Sequence, residues 1–208
     1  MKLFYSPGAC SIGIHLLLEE IGKPYSLSRI DLRSGGQFEP DYVHLNPKSK
    51  VPALLRDDGT LLTEFPAIAV WLAKSNPEKN LIATDLEGEV RTLELIDYVV
   101  SSLHMQGFSR IFKPEKFAPS ESDLETVRTT GREIITAGLK NISNELGSKD
   151  FFMGDRLTIA DCALFYLLFW VGDRVKMALP TNLEAYYQRL KSRPTAQKVF
   201  ADEGINLD

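Results

Sequence analysis

The feature that most constrains this chain is a change of period, repeated within its first 32 residues. Lys2 to Tyr5 reads as a strand and stops at Ser6-Pro7-Gly8. Ser11 to Ile21 then places Ile14, Leu17, Leu18 and Ile21 on one helical face, with Gly22 as its stop, and Tyr25 to Leu32 alternates as a second strand. A strand that returns through a helix lies parallel to its partner, with a right-handed crossover. The N-terminal segment therefore predicts a βαβ unit.

The next segment extends it. After the Ser34-Gly35-Gly36 loop and a short helix over Phe38 to Leu45, Val51 to Arg56 and Thr60 to Thr63 flank Asp57-Asp58-Gly59, a hairpin turn signal. A helix follows from Phe65 to Lys74, with Pro66 in the first turn, where proline is tolerated. Ser75 to Gly88 is polar, contains Pro77 and marks a composition shift, which reads as a linker. Beyond it only helical patterns appear: Glu89 to Phe112, Ser122 to Leu146, Thr158 to Val171, Leu183 to Ser192 and Pro194 to Ala201. The expected architecture is α/β plus all-α: domain 1–78, linker 79–87 and helical domain 88–208.

Charge and cysteine usage narrow the function classes. A net charge of -4 disfavours nucleic-acid binding, which needs a basic face. The longest apolar stretch, Cys162 to Val171, is well short of the ~20 residues of a membrane helix and reads as a buried core helix. The apolar start breaks too early, at Pro7-Gly8, for a signal peptide, so the cytoplasm is the expected location. Cys10 and Cys162, the only cysteines, make neither a disulfide framework nor a metal site, and no metal is expected.

Three positions carry chemistry. Cys10 stands where a helix begins, and the helix dipole favours the reactive thiolate; a small buried thiol is the competing reading. Val51-Pro52 stands at a strand entrance. A cis bond there would turn the Val51 N–H and C=O outward to pair with a peptide, whereas an ordinary edge proline would not. Glu64 precedes a helix, where a carboxylate is either a helix-end charge or a receptor for a ligand ammonium. Together they place a thiol, a pairing backbone edge and an amino-acid end-group site in one βαβ–hairpin–helix unit.

That constellation resembles the thioredoxin-fold half of the glutathione S-transferases, and the resemblance runs over nearly the whole chain. The opening through Cys10-Ser11, Asn46-Pro47-Lys48 leading to Val51-Pro52-Ala53-Leu54, and Asp57-Asp58-Gly59 leading to Leu62-Thr63-Glu64 are similar to the bacterial beta class. Leu103-His104 and Gly107-Phe108 resemble its site-lining helix. Gly154-Asp155-Arg156-Leu157-Thr158-Ile159-Ala160-Asp161 resembles the family's folding motif, with Thr158 and Asp161 as a capping box worth ~1 kcal/mol or more.

The resemblance implies glutathione (γ-Glu-Cys-Gly) as co-substrate, a small hydrophobic electrophile, and a homodimer. It implies that Val51 pairs with the cysteinyl backbone beside a cis Pro52, that Glu64 takes the γ-glutamyl end, and that Cys10 and His104 face the sulfur with Tyr5 and Ser11 nearby. Phe65 follows the glutamate where the class carries a small residue, and would crowd the γ-glutamyl pocket. Met105 and Gln106 follow His104 in place of a lysine, and Arg33 is the cation nearest the expected loop lysine; Lys50 completes the expected binding set. Two alternatives stay open: thiol–disulfide exchange through Cys10, with Gly13 rather than a second cysteine three residues on, and a non-catalytic binding module on the same fold.

Overall fold

A computed structural model describes residues 1–206. Four strands form one sheet in the order β2-β1-β3-β4: β1 Lys2–Tyr5, β2 Ser26–Arg29, β3 Ala53–Leu55 and β4 Leu61–Thr63. β1 pairs parallel with β2 and antiparallel with β3, and β3 pairs antiparallel with β4. The crossover is α1 (Ser11–Ile21), closed by Gly22 at φ 74°, whose N–H donates to the Leu18 carbonyl. The expected βαβ unit and hairpin are both present. β2 and β3 are shorter than their alternation suggested, because the chain leaves the sheet at Ile30 and enters it only after Pro52. A 3-10 turn and α2 (Pro40–Leu45) join β2 to β3, and α3 (Phe65–Lys74) follows β4.

Among the described residues, the elements that follow are all helical, apart from one isolated bridge between Phe151 and Gly154. α4 (Leu86–Asp97) starts within the expected linker, because the Asp85 carboxylate accepts the Gly88 N–H at 2.8 Å and so caps it there. It runs without a break through a π-helical stretch, Tyr98–Phe108, into α5 (Ser109–Phe112). α6 (Leu124–Leu146) packs against that stretch with little room to spare. A Cβ on Gly138 would come within 2.2 Å of Leu103, and one on Gly131 within 2.7 Å of the Gly107 carbonyl.

α7 (Ile159–Phe169), buried along its whole length, is the central helix and continues through a π-helical turn to Arg174. The Asp161 carboxylate accepts four hydrogen bonds at its base: from the Thr158 N–H at 2.7 Å, the Thr158 hydroxyl at 3.0 Å, the Phe152 N–H at 2.8 Å and the Tyr186 hydroxyl at 2.5 Å. α8 (Thr181–Lys191) and α9 (Pro194–Glu203) complete the chain. No helix among the described residues is long and apolar enough to cross a membrane.

α1 is buried on nearly every side, because the sheet covers one face and α7 and α9 cover the others. One continuous apolar core therefore spans β1, α1, α3 and the helices after residue 86.

Candidate active site

The site begins at the loop between β1 and α1. Two contacts from the helices fix it: the Trp170 indole N–H donates to the Gly8 carbonyl at 2.8 Å, and the Gly8 N–H donates to Glu203 at 2.8 Å. The hydroxyl of Ser11 is used within the same turn, donating to the Ser6 carbonyl at 3.3 Å and accepting the Ser6 N–H at 3.3 Å. Ser11 is buried and closes the turn that presents Cys10.

Cys10 is partly exposed, and its thiol donates to the Val51 carbonyl at 3.5 Å. The Val51–Pro52 bond is cis. The Val51 carbonyl therefore faces Cys10 rather than opening wholly to the cleft. Burial opposes the helix-start preference for the thiolate here. Burial pushes the Cys10 thiol up to about 12, outweighing the N–H groups of Cys10 and Ser11 and the charge of Lys50, which favour the anion; Glu64 adds to the rise. The balance favours the thiol over the anion.

Glu64 caps α3 from the left-handed region, at φ 71° and ψ 125°, a conformation that costs a non-glycine residue about 1–3 kcal/mol. Its carboxylate is half-exposed and receives Lys48 Nζ at 2.9 Å, while Lys48 also donates to the Thr63 hydroxyl at 3.0 Å. Sequence reasoning quoted Lys48 only within a motif and missed this pairing.

Phe65, expected to crowd the γ-glutamyl pocket, turns inward. Its ring is buried against Tyr166, centroids 5.2 Å apart, and faces Gly13, where a Cβ would come within 2.9 Å of it. The first side chain of α3 follows the helix's apolar face, so Phe65 leaves only backbone at the cleft.

His104 lies on the π-helical stretch, edge-on to Trp170 at 4.7 Å and to Tyr166 at 5.9 Å. Burial, with a smaller contribution from Lys50, holds its ring down to about 4, so it is neutral at physiological pH. Lys50 is exposed, and its charge acts on both Cys10 and His104. Cys10 and His104, from opposite halves of the chain, thus both lie within electrostatic reach of Lys50, and Cys10 also of Glu64.

Two expected site residues lie elsewhere. Tyr5 is buried beside His15, ring centroids 6.0 Å apart, and burial with the Glu203 charge raises its hydroxyl. Arg33 sits on an exposed turn that the Asp31 carboxylate closes by accepting its N–H at 3.0 Å. Arg174, which sequence reasoning did not single out, donates to the Pro7 carbonyl at 3.0 Å and lies within electrostatic reach of Arg33.

Two family descriptions match the chain: "Glutathione S-transferase, N-terminal domain" over residues 8–75 and "Glutathione S-transferase, C-terminal domain" over residues 125–189. Glutathione S-transferase GstA of Escherichia coli O157:H7 is 38% identical over 99% of this chain and 100% of that protein. The chain belongs to the glutathione S-transferase family.

Solved structures of the family agree in fold. A glutathione transferase homologue from Sulfitobacter with bound glutathione superposes with a TM-score of 0.88 at 26% identity, over 99% of this chain and 98% of that one. The beta-class glutathione S-transferase of Sphingomonas chungbukensis gives 0.83 at 30% identity, over 99% and 100%.

The helical half of this transferase carries an aromatic wall. Phe108 stacks on the exposed Phe112 at 5.5 Å, both meet Trp170 edge-on at 5.1 and 5.4 Å, and Trp170 meets Tyr166 at 5.2 Å. The Tyr166 hydroxyl is buried with no hydrogen-bond partner among the described residues, and Cys10 lies within electrostatic reach of it. Sequence reasoning missed Tyr166, since an aromatic inside an apolar helix gives no signal beyond core packing.

Proposed function

We propose that this chain is a glutathione S-transferase that binds glutathione across the cleft between residues 1–78 and the helices of 88–208, and directs its sulfur at a small hydrophobic electrophile. The observation that carries the reading is the Cys10 thiol 3.5 Å from the Val51 carbonyl, within reach of the charges of Glu64 and of Lys50, which also acts on His104. Full-length similarity to named transferases supports it.

In this reading the γ-glutamyl ammonium meets Glu64 and displaces Lys48, while its carboxylate meets the N–H groups at the start of α3. The Val51 backbone pairs with the cysteinyl residue, and Lys50 supplies positive charge toward the glycyl carboxylate. The reacting sulfur gives its proton to solvent and attacks an electrophilic carbon; the carbon–sulfur bond forms as the leaving group departs with its electron pair.

Cys10 and His104 are both uncharged near pH 7. They serve the developing thiolate as neutral donors, S–H and ring N–H, rather than as a base and a cation. Thiol–disulfide exchange needs Cys10 as a thiolate, which its burial opposes. The exposed Phe112 and Met105 give the electrophile an apolar face beside His104. A homodimer in the cytoplasm belongs to the same reading.

Titration calorimetry with glutathione tests it directly. One site per chain is expected, weakened at least fivefold in Glu64→Gln by the loss of one charge-assisted contact. The absence of heat at ~10 mM glutathione, where even a millimolar site would be mostly filled, would replace the transferase with a binding module on the same fold.

A further inference from the structure

About one and a half turns along α1 from Cys10, a second polar cluster joins α1 to α9. His15 is wholly buried, and its Nδ1 lies 2.9 Å from Oε1 of Glu203, itself buried. A carboxylate can only accept, so Nδ1 carries the proton in that contact. The other nitrogen, Nε2, is buried and has no hydrogen-bond partner among the described residues.

Two carboxylates converge on that nitrogen. Asp202 Oδ2 lies 3.7 Å from it, and Glu19 comes from the next turn of α1; one ligand atom from each of the three residues lies within 4.8 Å of the others. A cation already sits between the acids. Lys198 Nζ is 2.5 Å from Asp202 and 3.1 Å from Glu19, on a side chain that is half-exposed. The cluster opens onto a groove of about 570 Å³ lined by Glu19, Tyr25, Lys198 and Asp202 among others.

We propose that His15 Nε2, Glu19 and Asp202 form a site for a divalent first-row transition ion such as zinc or cobalt, with Lys198 holding the cation position when no metal is bound. One imidazole and two carboxylates suit such an ion, whereas magnesium and calcium prefer oxygen alone. Glu203 already takes the ring N–H, the outer contact that metal-bound histidines usually make. Ligand atoms around a tetrahedral ion with bonds of ~2.0–2.1 Å stand about 3.4 Å apart. The spacing here therefore closes by small rotations of Glu19 and Asp202 once Lys198 swings into the groove. A metal bound there would clip α9 to the helix that carries Cys10.

The test is a titration of the full chain with zinc, followed by thermal melting, and with cobalt, followed by visible absorption. Zinc at a hundredfold excess over its Kd should raise Tm by roughly 5 °C or more. Cobalt should give d–d bands without the thiolate charge-transfer band that ligation by Cys10 would produce. Lys198→Ala should bind about tenfold tighter, and Asp202→Asn or Glu19→Gln should lose at least about 100-fold in affinity while still folding. A Lys198→Ala protein with neither d–d bands nor a Tm rise would refute the site. Undiminished binding in Asp202→Asn, or a thiolate band, would refute it equally.

Discussion

Cys10 stands where a helix start favours an anion, yet loss of water outweighs that preference and keeps the thiol protonated. Its reactivity should follow. With the thiol near 12 instead of the ordinary 9, the thiolate fraction falls about a thousandfold. The more basic sulfur recovers part of this through its greater nucleophilicity, so iodoacetamide should alkylate Cys10 roughly thirtyfold more slowly than a free cysteine at pH 7.5. Alkylation at the free-cysteine rate, followed by mass spectrometry, would restore the thiolate reading. His104 makes the opposite kind of shift, from 6.5 down to about 4. Between those values the unfolded chain binds a proton that the folded one refuses, so stability falls as pH drops through this window. Melting curves of the wild type should lose roughly 2–3 kcal/mol from pH 6.5 to pH 4, and His104→Gln should flatten that slope; equal slopes in the two proteins would contradict the burial of the ring.

Among the elements, α7 depends most on a single side chain. Asp161→Ala would strand the Thr158 and Phe152 N–H groups and the Tyr186 hydroxyl inside the core. A loss of about 3 kcal/mol is expected, or a Tm lower by roughly 6–12 °C; glutathione affinity should be unchanged wherever the variant remains folded. This element was legible in the sequence, because Thr158 and Asp161 stand at capping spacing before an apolar run. So were α1, with its glycine stop, and the β3–β4 hairpin, with Asp58-Gly59 in its turn. The π-helical stretch carrying His104 was not, since its apolar spacing blends with the helices on either side. The start of α4 was missed because Asp85 lies among polar residues that read as linker. At the site, Cys10, Val51 and Glu64 could be found from turn and cap signals. The inward turn of Phe65, the Lys48–Glu64 pair and the lone Tyr166 hydroxyl depend on neighbours distant in sequence, which no local pattern encodes.

At the scale of the whole molecule, the division at residues 79–87 follows the chain better than it follows the packing. Leu81 is buried, and its carbonyl accepts the Ile159 N–H at 2.9 Å, so the connecting segment is fastened to α7. Ile12, Leu16 and Leu17 of α1 belong to the same core as Leu164, Leu168 and Phe200. A fragment ending at residue 78 should therefore fail to fold alone, with broad, poorly dispersed NMR signals, whereas the full chain should melt in one transition. A well-dispersed fragment spectrum would show that the first half is self-sufficient. The grip of Trp170 and Glu203 on Gly8 has a consequence of its own. The turn that aims the reactive end of α1 is held at both its peptide N–H and its carbonyl by residues translated more than 160 positions later. A nascent chain thus cannot finish its catalytic pocket until its last helices have emerged, and fraying at the far terminus would reach residue 10 before it touched the sheet.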